Sequence, residues 1–163
     1  MISISDKYDS YFKKVFNNVS IALFSRFFGK GMHLFIIGFG NAYTRDDKKI
    51  FEYELHVQTT WRIINYKEKK IVLTENDLIK VDDNYFYAKI AEINSFLPAQ
   101  IKDVIIKNNG DMDLYFGDDF VLQVINCNSK TCFRDEAWRI VHRRGIKEHF
   151  VMPNEGISLS YYE

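Results

Sequence analysis

The segment Phe51-Glu52-Tyr53-Glu54-Leu55-His56-Val57-Gln58 decides the fold class. Successive side chains of a strand point to opposite faces of a sheet. Phe51, Tyr53, Leu55 and Val57 therefore share an apolar face, while Glu52, Glu54, His56 and Gln58 share a polar one. Strands of a parallel sheet are usually apolar on both sides, so this alternation predicts an antiparallel sheet. One face packs on a core and the other meets water or a partner. Trp61 and Ile63 extend the apolar face if no bulge intervenes, which puts Arg62 with the polar row.

Working outward, residues 32–40 read as a strongly apolar strand at the centre of the sheet, and residues 41–49 as a charged hairpin loop. Gly29-Lys30-Gly31 is a turn signal. Before it, Val19, Ile21 and Leu23 alternate as a first strand. Tyr8, Phe12, Val15 and Phe16 fall at helical spacing and predict an N-terminal helix over residues 6–17, with Asp6 as N-cap. Downstream, Lys67-Glu68-Lys69-Lys70 is a charged turn and residues 71–74 a short strand. Phe86, Ile90, Ile93 and Leu97 recur at i, i+4, i+7 and i+11, predicting an amphipathic helix near 85–97 that ends before Pro98. Residues 104–107 form a strand, and Asn109-Gly110 suits a tight hairpin turn. Strands over 111–116 and 119–126 follow. A polar loop at 127–135 leads to last strands at 136–143 and 148–152. The predicted class is α+β: a mainly antiparallel sheet with two helices, in a single globular domain spanning residues 1–163.

Residues 32–64 and 112–141 share a layout. Each begins with an apolar strand ending in Phe-Gly (Phe39-Gly40, Phe116-Gly117). Each continues through Leu-x-Val (Leu55-His56-Val57, Leu122-Gln123-Val124) to Trp-Arg-Ile (Trp61-Arg62-Ile63, Trp138-Arg139-Ile140). Two related β-units explain this layout; ordinary likeness between hairpins is the plainer alternative.

Hydrophobic residues make up 47% of the 163, and Pro numbers only two, which is the composition of a folded chain. Lys+Arg and Asp+Glu balance at 22 each, leaving no global field to hold a phosphate backbone, so no nucleic-acid partner is expected. The N-terminus lacks the basic, apolar and small-residue succession of a signal peptide. The apolar stretches at 19–28 and 32–39 fall short of the ~20 residues of a membrane helix. A cytoplasmic location follows, with Cys127 and Cys132 as reduced thiols.

The same marker residues resemble a family of small bacterial proteins of unknown activity, many from Gram-positive species. The shared blocks are Leu55-His56-Val57-Gln58 with Trp61-Arg62-Ile63, then Gly110-Asp111-Met112-Asp113-Leu114, then Trp138-Arg139 and His149-Phe150-Val151. The resemblance covers roughly residues 30–151, and this chain departs from it by two residues inserted after Gly110-Asp111. Some such proteins look similar to orphan immunity proteins encoded near polymorphic toxins. The resemblance implies a protein-binding role with a cognate toxin as partner; it brings no catalytic residues.

The row Glu52, Glu54 and His56 is the best place for chemistry. Residues at i, i+2 and i+4 on one face can converge on a metal or act as an acid/base pair. The plainer reading is a solvated sheet face, and contact with a partner comes next. Cys127 and Cys132 marginally meet the cysteine spacing of a zinc site, but His142 and His149, seven apart, do not complete it, so the two cysteines read as ordinary loop residues. A Cys–His nucleophilic pair is the alternative, but nothing flanking either cysteine marks an activated thiolate. Asp111, Asp113, Asp118 and Asp119 lack calcium-loop spacing. Trp61 and Trp138 read as core anchors rather than base-stacking platforms, and Arg139, Arg143, Arg144 and Lys147 as a basic cluster on a solvated face. No phosphate-binding loop, nucleophile elbow or zinc-protease motif is present. No cofactor or metal is expected. The leading expectation is a protein-binding module using Glu52, Glu54, His56 and Arg62. The alternatives are an enzyme built on Glu52, Glu54 and His56, and a self-assembling domain that forms homo-oligomers.

Overall fold

The alternation that begins at Phe51 runs unbroken to Asn65, with every odd-numbered residue buried. Along that run the chain changes sheet neighbours, and this change organises the molecule. A computed structural model describes residues 11–12, 14–29, 32–79, 82–107, 109–126, 136–143, 149–153 and 160–162. Residues 11–12 and 14–16 are helical (α1). The strands that follow are β1 (Ser20–Gly29), β2 (Met32–Arg45), β3 (Lys48–Val57), β4 (Thr60–Asn65) and β5 (Lys70–Thr74). After helices α2 (Glu75–Ile79) and α3 (Asp83–Asn94) come β6 (Ala99–Ile106), β7 (Met112–Phe116), β8 (Phe120–Ile125), β9 (Glu136–His142), β10 (His149–Pro153) and β11 (Ser160–Tyr162). Among the described residues, the fold is thus mainly antiparallel β.

The strand order is β11-β10-β9-β3-β2-β1-β6-β7-β8-β4-β5. The seam between β1 and β6 is narrow: Ser20 pairs with Gln100 and Ile21 with Ala99, and Ile101 N–H donates to the Val19 carbonyl. Outward from this seam the order runs β1-β2-β3-β9-β10 one way and β6-β7-β8-β4-β5 the other. Each hairpin therefore receives its next strand from the opposite half of the chain. On β3, Leu55, His56 and Val57 lie opposite Ile140, Arg139 and Trp138. On β8, Leu122, Gln123 and Val124 lie opposite Ile63, Arg62 and Trp61. The Leu-x-Val and Trp-Arg-Ile blocks meet across the halves in the same register both times. Both Phe-Gly dipeptides also place their glycine at positive φ, 79° at Gly40 and 57° at Gly117, where a side chain would be strained.

The two half-sheets turn their inner faces together. Phe35 of β2 stacks on Trp61 of β4 with ring centroids 3.8 Å apart, and Phe24 of β1 lies 5.6 Å from Phe116 of β7. Trp138 is fully buried and its Nε1 donates to the Gly110 carbonyl at 2.8 Å. Phe86, Ile90 and Ile93 of α3 and Phe12, Val15 and Phe16 of α1 join the same core.

Several boundaries differ from those read in the sequence. Residues 41–49 are not a loop: β2 and β3 continue to Arg45 and Lys48, joined by Asp46 and Asp47 at φ 51° and 59°. That conformation suits a two-residue hairpin turn matching strand twist. β1 runs on through Arg26 to Gly29, and β6 starts at Ala99 rather than 104. The Asn109-Gly110 turn is wider than a two-residue loop, because β6 ends at Ile106 and β7 begins at Met112. α3 begins at Asp83, where the Asp82 side chain accepts from Asn84 N–H. Residues 6–10, 127–135, Arg144 and Lys147 lie outside the described residues, and with them part of the expected N-terminal helix and both cysteines.

Replacing Trp138 by Phe keeps the ring but leaves the buried Gly110 carbonyl without its donor. It should cost about 1–3 kcal/mol in urea unfolding. Trp61→Phe keeps the stack on Phe35 and should cost less.

Candidate functional site

The polar row of β3 lies on the outer face of the first half-sheet. Pairing fixes what stands beside each member. One rung reads Leu23 (β1), Gly38 (β2), Glu54 (β3) and Val141 (β9); the next reads Ser25, Ile36, His56 and Arg139. A third begins with Phe27 opposite Leu34. Charged groups therefore collect on β3 and β9, and apolar ones on β1 and β2.

The row is not a solvated face. Glu54 and His56 are half-buried, and Val141 beside them is buried. Glu54 Oε2 lies 2.8 Å from His56 Nε2 and accepts from Arg143 Nη2 at 2.7 Å and Nε at 3.0 Å. Burial on its own would raise the Glu54 pKa. Hydrogen bonds from His56 and Arg143, with the positive charge of Arg143, outweigh burial and hold it below the ordinary value of 4.5.

Glu52 belongs to a separate cluster. Its Oε2 accepts from Asn41 Nδ2 at 3.0 Å, and its Oε1 lies 3.9 Å from His142 Nε2. The His142 ring stacks on Tyr53 at 4.8 Å. Asn41 sits in the β2 bulge between Phe39 and Ala42, which turns its amide toward Glu52. The two carboxylates thus have different partners and do not converge. Among the described residues no three His, Cys, Asp or Glu side chains gather as a metal site.

Arg62 is not brought to this row. Its Nε donates to Gln123 Oε1 at 2.8 Å across the β4–β8 ladder, on the outer face of the other half-sheet. Since Trp61 and Phe35 stack inner face to inner face, Arg62 and His56 point away from each other. Sequence reasoning missed Arg143 as the partner of Glu54. The basic cluster containing it was visible, but only the pairing of β3 with β9 carries it there.

The Glu54 linkage has a defined sign. A carboxylate with a lowered folded-state pKa contributes stability above its unfolded value, and loses it as pH falls through the folded one. Glu54→Gln should cost about 1 kcal/mol near neutrality. The cost should shrink below pH 4.5. Urea unfolding of both proteins across pH 3–7 measures this.

Comparison with known proteins adds no assignment: no protein family, curated protein or solved structure matches the chain.

Proposed function

We propose that the chain is a cytoplasmic protein-binding module that neutralises a toxin by stoichiometric occlusion, and that it binds through the outer face of β1, β2, β3 and β9. One observation carries this reading. Leu23 and Phe27 stand 39% and 48% exposed on that face, one rung from Ile36 and beside the Glu54–His56–Arg143 network. A contiguous apolar group bounded by charged residues has the anatomy of a protein interface. The apolar centre supplies affinity, and the charged side sets register and speeds encounter. The family resemblance of the Leu55–Gln58 and Trp138–Arg139 blocks points the same way. The palindromic strand order supports reading residues 32–64 and 112–141 as two related β-units.

Acid–base chemistry at Glu54 and His56 has less support. Three contacts on Glu54 Oε2 favour its charged form, which opposes service as a general acid or base near neutral pH. Self-assembly is a second reading, because two copies could bury the same Leu23 and Phe27.

Co-expression with candidate toxins from the same genome tests the proposal. The wild-type chain should protect cells and co-purify with one toxin at equal stoichiometry. Phe27→Asp and Leu23→Asp should each weaken that complex by about tenfold or more, with thermal melting unchanged. Full protection by the double variant would overturn the proposed face. Sedimentation of the pure protein decides the second reading: a wild-type dimer that Phe27→Asp turns into monomer assigns this face to self-association.

A further inference from the structure

β1 and β6 part company on both sides of their short seam, leaving each with one edge that no strand among the described residues continues. On β1 that edge is closed. Phe24 N–H donates to Asn94 Oδ1 at 3.2 Å, and the Phe24 carbonyl accepts from Asn94 Nδ2 at 3.5 Å. The α3 side-chain amide stands where a neighbouring strand would put a peptide group. Val104 occupies the matching position on β6. Phe24 lies opposite Ile37, which lies opposite Leu55; Val104 lies opposite Leu114, which lies opposite Leu122. Yet the Val104 N–H donates to Oδ1 of its own neighbour Asp103, at 2.9 Å. Among the described residues no side-chain amide is hydrogen-bonded to it as Asn94 is to Phe24.

The space beside that edge is large. A cleft of about 650 Å³ lies there, lined by Phe12 and Phe16 of α1 and by Asn17, Gln100, Ile101 and Lys102 beside Asp103 and Val104. Phe12, Phe16 and Ile101, otherwise buried in the core, reach one side, and backbone edge with polar side chains forms the other. A segment laid along a sheet edge needs both: main-chain hydrogen bonding for affinity, and apolar recesses for alternate side chains.

We propose that this cleft binds an extended peptide segment of a partner protein, which adds to β6 at Val104. The peptide's amide takes the place that the Asn94 amide holds on Phe24, displacing the Asp103 carboxylate. Alternate side chains of the segment lie in the cleft, against the small exposed edges of Phe12, Phe16 and Ile101 and against Gln100 and Lys102. This site is distinct from the Leu23–Phe27 face and stands whether or not that face binds a toxin.

The probe is a blocked peptide of alternating valine and threonine with a lysine at each end, titrated into the full chain by amide NMR. Binding should shift the Val104 amide and the Phe12 and Phe16 ring signals, and slow exchange of the Val104 N–H. Asp103→Ala removes the internal competitor and should tighten binding about threefold. Asn17→Trp, which fills the cleft from the connection between α1 and β1, should abolish it. Opposite effects of two surface changes separate a binding role from a structural one. Shifts confined to β5 or to Leu23 and Phe27, no shift at millimolar peptide, or weaker binding by Asp103→Ala would each overturn the proposal.

Discussion

Val57 lies opposite Trp138, and Val124 lies opposite Trp61. These two pairings bind the chain into one structure, because each half supplies the strand that completes the other half's sheet. A strand left without that neighbour exposes a full row of backbone donors and acceptors, which a compact fold has to satisfy. The exchange does so on both sides at once. It also brings the two tryptophans to the inner faces, where Trp61 meets Phe35 and Trp138 reaches Gly110. Shifting either register by one residue would turn a tryptophan outward and an arginine inward.

The same exchange builds the outer face. β9 carries Arg139 to the rung of His56 and leads directly into Arg143, whose guanidinium closes on Glu54. Without β9, Glu54 and His56 would be a solvated pair on an edge strand. With it they are half-buried and mutually satisfied, and the charged part of the face has a fixed geometry. The apolar part on β1 and β2 owes nothing to that network. It follows from Leu23 and Phe27 facing away from a core that Phe24 already fills.

The sheet class was legible because its signal is local. Phe51 to Gln58 alternates apolar and polar without interruption, and both Trp-Arg-Ile blocks announce a buried tryptophan. What escaped the sequence depends on residues far along the chain. The first strand is read through Val19, Ile21 and Leu23, yet β1 continues through Arg26, whose side chain is almost wholly buried beneath Phe86 of α3, 4.3 Å from the ring centroid, and is paired with Asp83. No periodicity near residue 26 records that partner. The half-burial of Glu54 was equally invisible, since Arg143 arrives from beyond β9. The 41–49 segment misled for a different reason. Its charges mark exposure, and an exposed hairpin arm is as charged as a loop.

The exchange of strands also sets a schedule for the newborn chain. β3 is complete at Val57, but β9 begins only at Glu136. At the pace of translation the ribosome needs on the order of ten seconds to make the stretch between. During that interval the β3 edge is bare, with apolar residues already assembled behind it. The first half-sheet therefore closes only after most of the chain has been made.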